Sequence, residues 1–200
     1  MRRSRSLIAH WMLEEIGAPY RFHLLDLAKG EHKAPGYLAV NPMGKVPAID
    51  HDGTVVTEAA AICAYLADAF PAAGLAPPPE DARRGSYYRW LFFGPGCLEP
   101  AIIDRMFQRG GNAPEGALGY GTFDGVLDVV ESAVASGPYL LGDMFSAADV
   151  VLGSGLSWGM MTGAVPERPE IAAYVTRLRA RPALQRVYAE DAKLVAALTT

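Results

Sequence analysis

Cysteine and histidine are scarce in this chain, two of the first and four of the second among 200 residues. Cys63 sits inside a helical pattern and Cys97 beside Gly94-Pro95-Gly96, with no Cys-x-x-Cys and no Cys/His cluster at zinc-like spacing. The sequence therefore argues against a disulfide scaffold and a metal centre, and for reduced thiols. Long apolar runs are missing as well: Gly, Pro or a charge interrupts each one well before the ~18 residues that a membrane span needs. The start, MRRSRSLIAHW, lacks the apolar core and small-residue cleavage site of a signal peptide, so a cytoplasmic protein with no membrane partner is expected. Nor does one sign of charge dominate. Eighteen Lys and Arg against 22 Asp and Glu give a net charge of -4, with only Arg2-Arg3-Ser4-Arg5 as a basic cluster, and no nucleic-acid partner is expected. What the chain does have is apolar content: half its residues are hydrophobic, enough for an ample core in one large domain or two small ones.

The first segment carries Leu7, Ile8, Trp11, Met12 and Ile16 on one helical face, closed by Gly17 and Pro19. Tyr20, Phe22 and Leu24 alternate as a strand would, and the stretch from Lys29 to Pro42 reads as loop with a few irregular turns. Lys45–Asp50, the turn Asp52-Gly53 and a second short run predict a hairpin, followed by a helix with Thr57 as N-cap and Ile62, Tyr65, Leu66 and Ala69 facing inward. Residues 1–72 are thus α/β in character. Residues 73–81, rich in Pro, Ala and Gly, have the composition of a linker. Residues 82–200 show only helical periodicity: one helix from Tyr87 broken near Gly94-Pro95-Gly96, one through Phe123–Val134, one capped by Ser146 and Asp149, and one from Pro169 to Arg181, with weaker periodicity beyond Pro182.

Two residues stand out chemically. Pro47 opens a strand, where it removes a ladder donor. A cis Val46-Pro47 bond would turn the Val46 backbone outward, able to pair with an extended peptide ligand. Glu58 falls in the first turn of a helix. Either it simply complements the helix dipole, or it accepts from a ligand amine while the exposed N–H groups hold that ligand's carboxylate.

Ser4-to-Tyr20, Lys29-Gly-Glu-His32, Asn41-to-Ile49, Thr57-to-Pro71 and Leu140-to-Leu152 together resemble the cytosolic glutathione S-transferase family, in particular its theta-like or divergent bacterial members. The resemblance implies a thioredoxin-like N-terminal domain, here lacking its first strand, followed by an all-α domain, usually as a homodimer. It implies glutathione as cosubstrate, held by the Val46 backbone beside a cis Pro47, by Glu58, and by His32 and Lys45. At the position after Glu58 the family commonly has Ser; this chain has Ala59, which keeps the N–H and loses the hydroxyl. The group that stabilises the thiolate would come from the loop before the first helix, with Ser4 first, Ser6 second and Arg5 adding positive potential. Ser at a helix start is equally an ordinary N-cap. A small hydrophobic electrophile would lie against Tyr87, Trp90 and Met106, a stripe that core packing also explains. A glutathione-dependent disulfide reductase and a non-catalytic binding protein of the same fold are the competing expectations. The absent strand leaves two expectations: either the chain as given is truncated and coding sequence upstream of Met1 supplies the strand, or the sheet closes with its gap filled some other way.

Overall fold

A computed structural model describes residues 4–109 and 113–198, with side chains to residue 194. The chain divides into two compact units, one holding the residues up to Ala73 and again those from Arg181 onward, the other Gly74–Ala180.

In the first unit α1 (Ser6–Ile16) buries Ala9, His10, Trp11 and Met12 and ends at Gly17, whose φ of 74° lets its N–H return to the Leu13 carbonyl at 2.9 Å. After a single turn at Glu31–Lys33, α2 (Pro35–Leu38) leads to β1 (Ala48–His51) and β2 (Thr54–Thr57). These pair antiparallel from Ala48 opposite Thr57 to His51 opposite Thr54. Asp52 and Gly53, at φ 51° and 83°, form the turn the Asp-Gly pair predicts, and Asp50 Oδ1 accepts the Gly53 N–H at 2.8 Å. α3 (Ala59–Ala69) then buries Ile62, Cys63, Leu66 and Ala67 against α1.

The strand expected over Tyr20–Leu24 does not form. Among the described residues the sheet has two strands only, and the stretch from Arg21 to Leu25 makes no backbone hydrogen bond to any of them. A strand exists by its partner, and alternation without a neighbouring edge yields an extended chain. Phe22 and Leu24 are consequently 40% and 45% exposed. A cavity of about 1200 Å³ is lined by this stretch, by β1 and by Leu13 and Leu66.

α9 (Pro182–Leu198) groups with the first unit. It packs on α1 and is held by charge. Arg181 grips Glu15 with two bonds at 2.6 and 2.7 Å, and Arg186 reaches Glu14 at 2.5 Å. Glu15 also accepts from the Trp11 indole, and its side chain is only 8% exposed, so this fork lies where bidentate pairing is strong.

The second unit is helical: α4 (Arg84–Phe93), α5 (Glu99–Phe107), α6 (Phe123–Ala135), α7 (Ala147–Met161) and α8 (Pro169–Arg179). The break expected at Gly94-Pro95-Gly96 is a widened helical turn over Gly94–Leu98 that carries α4 directly into α5. α7 is the central helix, buried from Ala147 to Gly153 and again at Leu156 and Gly159. Its start is fixed by Asp149, whose Oδ2 takes the Ser146 N–H at 2.9 Å and hydroxyl at 3.0 Å, while Oδ1 takes the Leu140 N–H and the Tyr174 hydroxyl, both at 2.9 Å. Burial pushes this carboxyl above the ordinary aspartate range, and the four donors act in the opposite direction. Tyr87 is fully buried and Trp90 nearly so, on an α4 face that packs on α7. Both are core residues of this unit.

Candidate functional site

At its N-terminal end α1 exposes a first turn without a strong cap. Ser4 Oγ accepts the Ser6 N–H at 3.3 Å, the Ser4 carbonyl accepts the Leu7 N–H at 3.4 Å, and Arg5 is exposed at the N-cap position. The Ser4 hydroxyl oxygen therefore takes part in starting the helix, from one position before the N-cap residue Arg5. Ser6 lines the 1200 Å³ cavity together with Val46 and Pro47, so these three of the expected site residues are brought to one surface. His32, Lys45 and Glu58 are not part of that lining.

The Val46-Pro47 peptide bond is cis, with Pro47 buried and Val46 half-buried. It follows a turn, Asn41–Lys45, whose N–H of Gly44 donates to the Asn41 carbonyl at 2.8 Å. Lys45 is exposed; its carbonyl oxygen accepts from both Tyr37 Oη and Asn41 Nδ2. His32 is half-buried within the turn at Glu31–Lys33. Beside it, Lys33 Nζ donates to the Met43 carbonyl at 2.9 Å, a role for Lys33 that the sequence did not suggest.

Glu58 is exposed and sits one position earlier in the helix than the sequence suggests. It is the N-cap of α3, while Thr57, the expected cap, closes β2 opposite Ala48. The ladder holds Thr57 extended, so the chain must turn within a single residue. Glu58 does this at φ 66°, ψ 118°, a region that L side chains rarely occupy and that costs about 1–3 kcal/mol. Such strain gathers where a backbone is held for a ligand. Its carbonyl accepts the Ile62 N–H at 2.8 Å, leaving the N–H groups of the first α3 turn, from Ala59 on, directed away from the helix body.

A second polar cluster is not legible in the sequence because Glu190 and Arg186 join His10, Glu14 and Tyr20 from a distant part of the chain. His10 Nε2 lies 3.0 Å from Tyr20 Oη and 3.1 Å from Glu190, and the Tyr20 hydroxyl donates to Glu14 at 2.6 Å. Ligand atoms of His10, Glu14 and Glu190 fall within 4.8 Å of one another, close enough to approach a cation. Arg186 occupies the other Glu14 oxygen, and the His10 Nδ1 has no acceptor to orient the ring as metal-bound histidines require. The group is a hydrogen-bonded brace. Burial holds His10 below its ordinary pKa although Glu190 and Glu14 pull the other way, and the bonds from Tyr20 and Arg186 lower that of Glu14.

An α/β unit with a β-hairpin, a cis X-Pro edge and a strained acidic cap is thus joined in one chain to a helical unit. Residues 4–69 match the family model for the glutathione S-transferase N-terminal domain and residues 120–182 that for the C-terminal domain. A probable glutathione S-transferase of Oryza sativa subsp. japonica is 32% identical over 88% of this chain and 87% of its own length. The glutathione S-transferase GstA of Escherichia coli O157:H7 is 31% identical over 90% of each. Among solved structures, a glutathione transferase from Methylococcus capsulatus strain Bath aligns over 92% of both chains at 34% identity with a TM-score of 0.76. A sphingomonad glutathione S-transferase complexed with glutathione aligns over 92% of both at 29% identity and 0.75. The chain belongs to the glutathione S-transferase family.

Proposed function

We propose that this chain binds glutathione on its first unit and activates the thiol for attack on a small hydrophobic electrophile. One observation carries the reading: Glu58 is held at positive φ on the N-terminus of α3, exposing an acidic side chain beside unpaired helix donors. That combination suits an amino-acid head group, with Glu58 accepting from the γ-glutamyl amine and the Ala59 turn donating to its carboxylate. In this reading the Val46 backbone beside cis Pro47 pairs with the cysteinyl residue, and His32 and Lys45 meet the glycine carboxylate.

A free thiol, with a pKa of about 8.5, is mostly protonated at neutral pH. A hydroxyl donor and the positive end of α1 lower that value by stabilising the thiolate, a role for Ser4 first and Ser6 second, with Arg5 adding positive potential. The thiolate sulfur then forms a bond to the electrophilic carbon, and the leaving group departs with its electron pair. Within the helical unit, half-buried Met106 is kept as an electrophile contact in this reading. A homodimer working in the cytoplasm is the assembly and setting that go with it.

Isothermal titration with glutathione, and turnover of an aromatic halide, test the proposal. Glu58→Ala is expected to weaken glutathione binding at least tenfold, the size of about 1.4 kcal/mol for a charge-assisted contact. Ser4→Ala is expected to raise the pKa of bound glutathione, read from thiolate absorbance. Undetectable glutathione binding by the unaltered chain would overturn the reading and favour a non-catalytic protein of this fold.

A further inference from the structure

Val46 offers a ligand its backbone, and a backbone group is only as well aimed as the peptide plane that carries it. The Val46 N–H shares its plane with the Lys45 carbonyl, and in a trans peptide unit the two point in opposite directions. Whatever grips the Lys45 oxygen therefore sets the direction of the Val46 N–H. Two side chains grip it, Tyr37 Oη at 2.6 Å and Asn41 Nδ2 at 2.8 Å. Two donors converging on one carbonyl fix its plane far better than one, because rotation that relieves either bond stretches the other.

Both donors are themselves anchored. Asn41 is 3% exposed; its Oδ1 accepts the Met43 N–H at 3.1 Å, and its own N–H donates to the Tyr37 carbonyl at 2.8 Å. Tyr37 and Asn41 are thus tied to each other as well as to Lys45. Below them Gly44, at φ 56°, fits a space where a Cβ would stand 2.8 Å from the His32 carbonyl oxygen, so the turn closes at a depth that other residues would not reach. Lys33 holds the same turn at a different point, the Met43 carbonyl.

We infer that Tyr37 and Asn41 are positioning residues, which aim the Val46 N–H at the peptide carbonyl of the bound tripeptide. The inference rests on the reading of glutathione against Val46 given above. It assigns Tyr37 and Asn41 to affinity for glutathione and not to the chemical step, since neither reaches the sulfur through Val46.

The experiment uses the full chain with Tyr37→Phe, Asn41→Asp and the double variant, with Lys33→Met as a comparison that loosens the same turn without touching the Lys45 oxygen. Asn41→Asp keeps the acceptor for Met43 and replaces the donor to Lys45 by a carboxylate oxygen, a buried charge facing that carbonyl. Each single variant is expected to raise the glutathione KM and Kd about fivefold, the worth of one net hydrogen bond. The kcat at saturating glutathione is expected to stay within about twofold. In the free protein, the Lys45 carbonyl carbon resonance is expected to move upfield in both, as an acceptor that loses a donor does. Lys33→Met is expected to leave KM and that resonance unchanged. Unchanged KM in Tyr37→Phe and Asn41→Asp while the unaltered chain binds glutathione overturns the inference alone, as does an equal loss in Lys33→Met. No glutathione binding by the unaltered chain overturns the functional reading and the inference together.

Discussion

Replacing Asp149 by alanine strands four donors in the core of the helical unit. The carboxylate takes the N–H groups of Leu140 and Ser146 and the hydroxyls of Ser146 and Tyr174, and Ser146, Asp149 and Tyr174 are all fully buried. The two hydroxyls can rotate to other acceptors; the two N–H groups are fixed by the backbone. Each stranded N–H costs about 1–3 kcal/mol, or about 2–6 together. Removing the ion also recovers its own desolvation, which here is large enough to push the Asp149 pKa up against four donors. The net expectation is about 3 kcal/mol, a substantial share of the ~5–15 kcal/mol that holds a typical protein folded. Tyr174→Phe removes one donor and keeps the acceptor, and should cost about 1 kcal/mol. Urea unfolding followed by far-ultraviolet circular dichroism measures both. A loss under about 1 kcal/mol for Asp149→Ala, or a larger one for Tyr174→Phe, would refute the account of this cap.

Three further outcomes are expected. Because burial keeps the folded-state pKa of His10 below 6.5, the unfolded chain takes up the proton first as pH falls. Stability should therefore decline from about pH 6.5 downward, and His10→Gln should flatten that slope in urea titrations at stepped pH. Glu14, also lowered in the fold, gives stability that is present above the ordinary glutamate range and lost below it; Glu14→Gln should remove this acid limb. Gly153→Ala should cost about 1–3 kcal/mol by thermal unfolding, since a Cβ there meets the Leu178 side chain between α7 and α8.

What could be read in the sequence was what neighbours along the chain decide. The Gly17 stop of α1, the Asp52-Gly53 turn and the Ser146–Asp149 cap need only a few adjacent residues, and all three form. Tyr20–Leu24 alternates correctly and still makes no strand, because pairing is decided by a distant edge. The Tyr87 and Trp90 stripe marks a buried face in the sequence, and only the position of α7 says that the face is core. Glu58 was visible as an acidic residue near a helix start, but its positive φ follows from Thr57 being held in the ladder, a three-dimensional fact. Tyr37 and Asn41 left almost no trace: Asn41-Pro42 reads as a turn, and nothing in it says which carbonyl the amide will hold.

The bond from Arg181 to Glu15 spans 166 positions and that from Arg186 to Glu14 spans 172. On the ribosome this distance becomes time. Residues 74–180 form their unit from one uninterrupted stretch and can fold as soon as that stretch has emerged. α1 is made before that unit, yet the surface it shares with α9 stays uncovered until Pro182–Leu198 has been made. The first unit is thus closed after the second, so a chain halted before Pro182 carries a whole helical unit and a first unit that still lacks its closing helix.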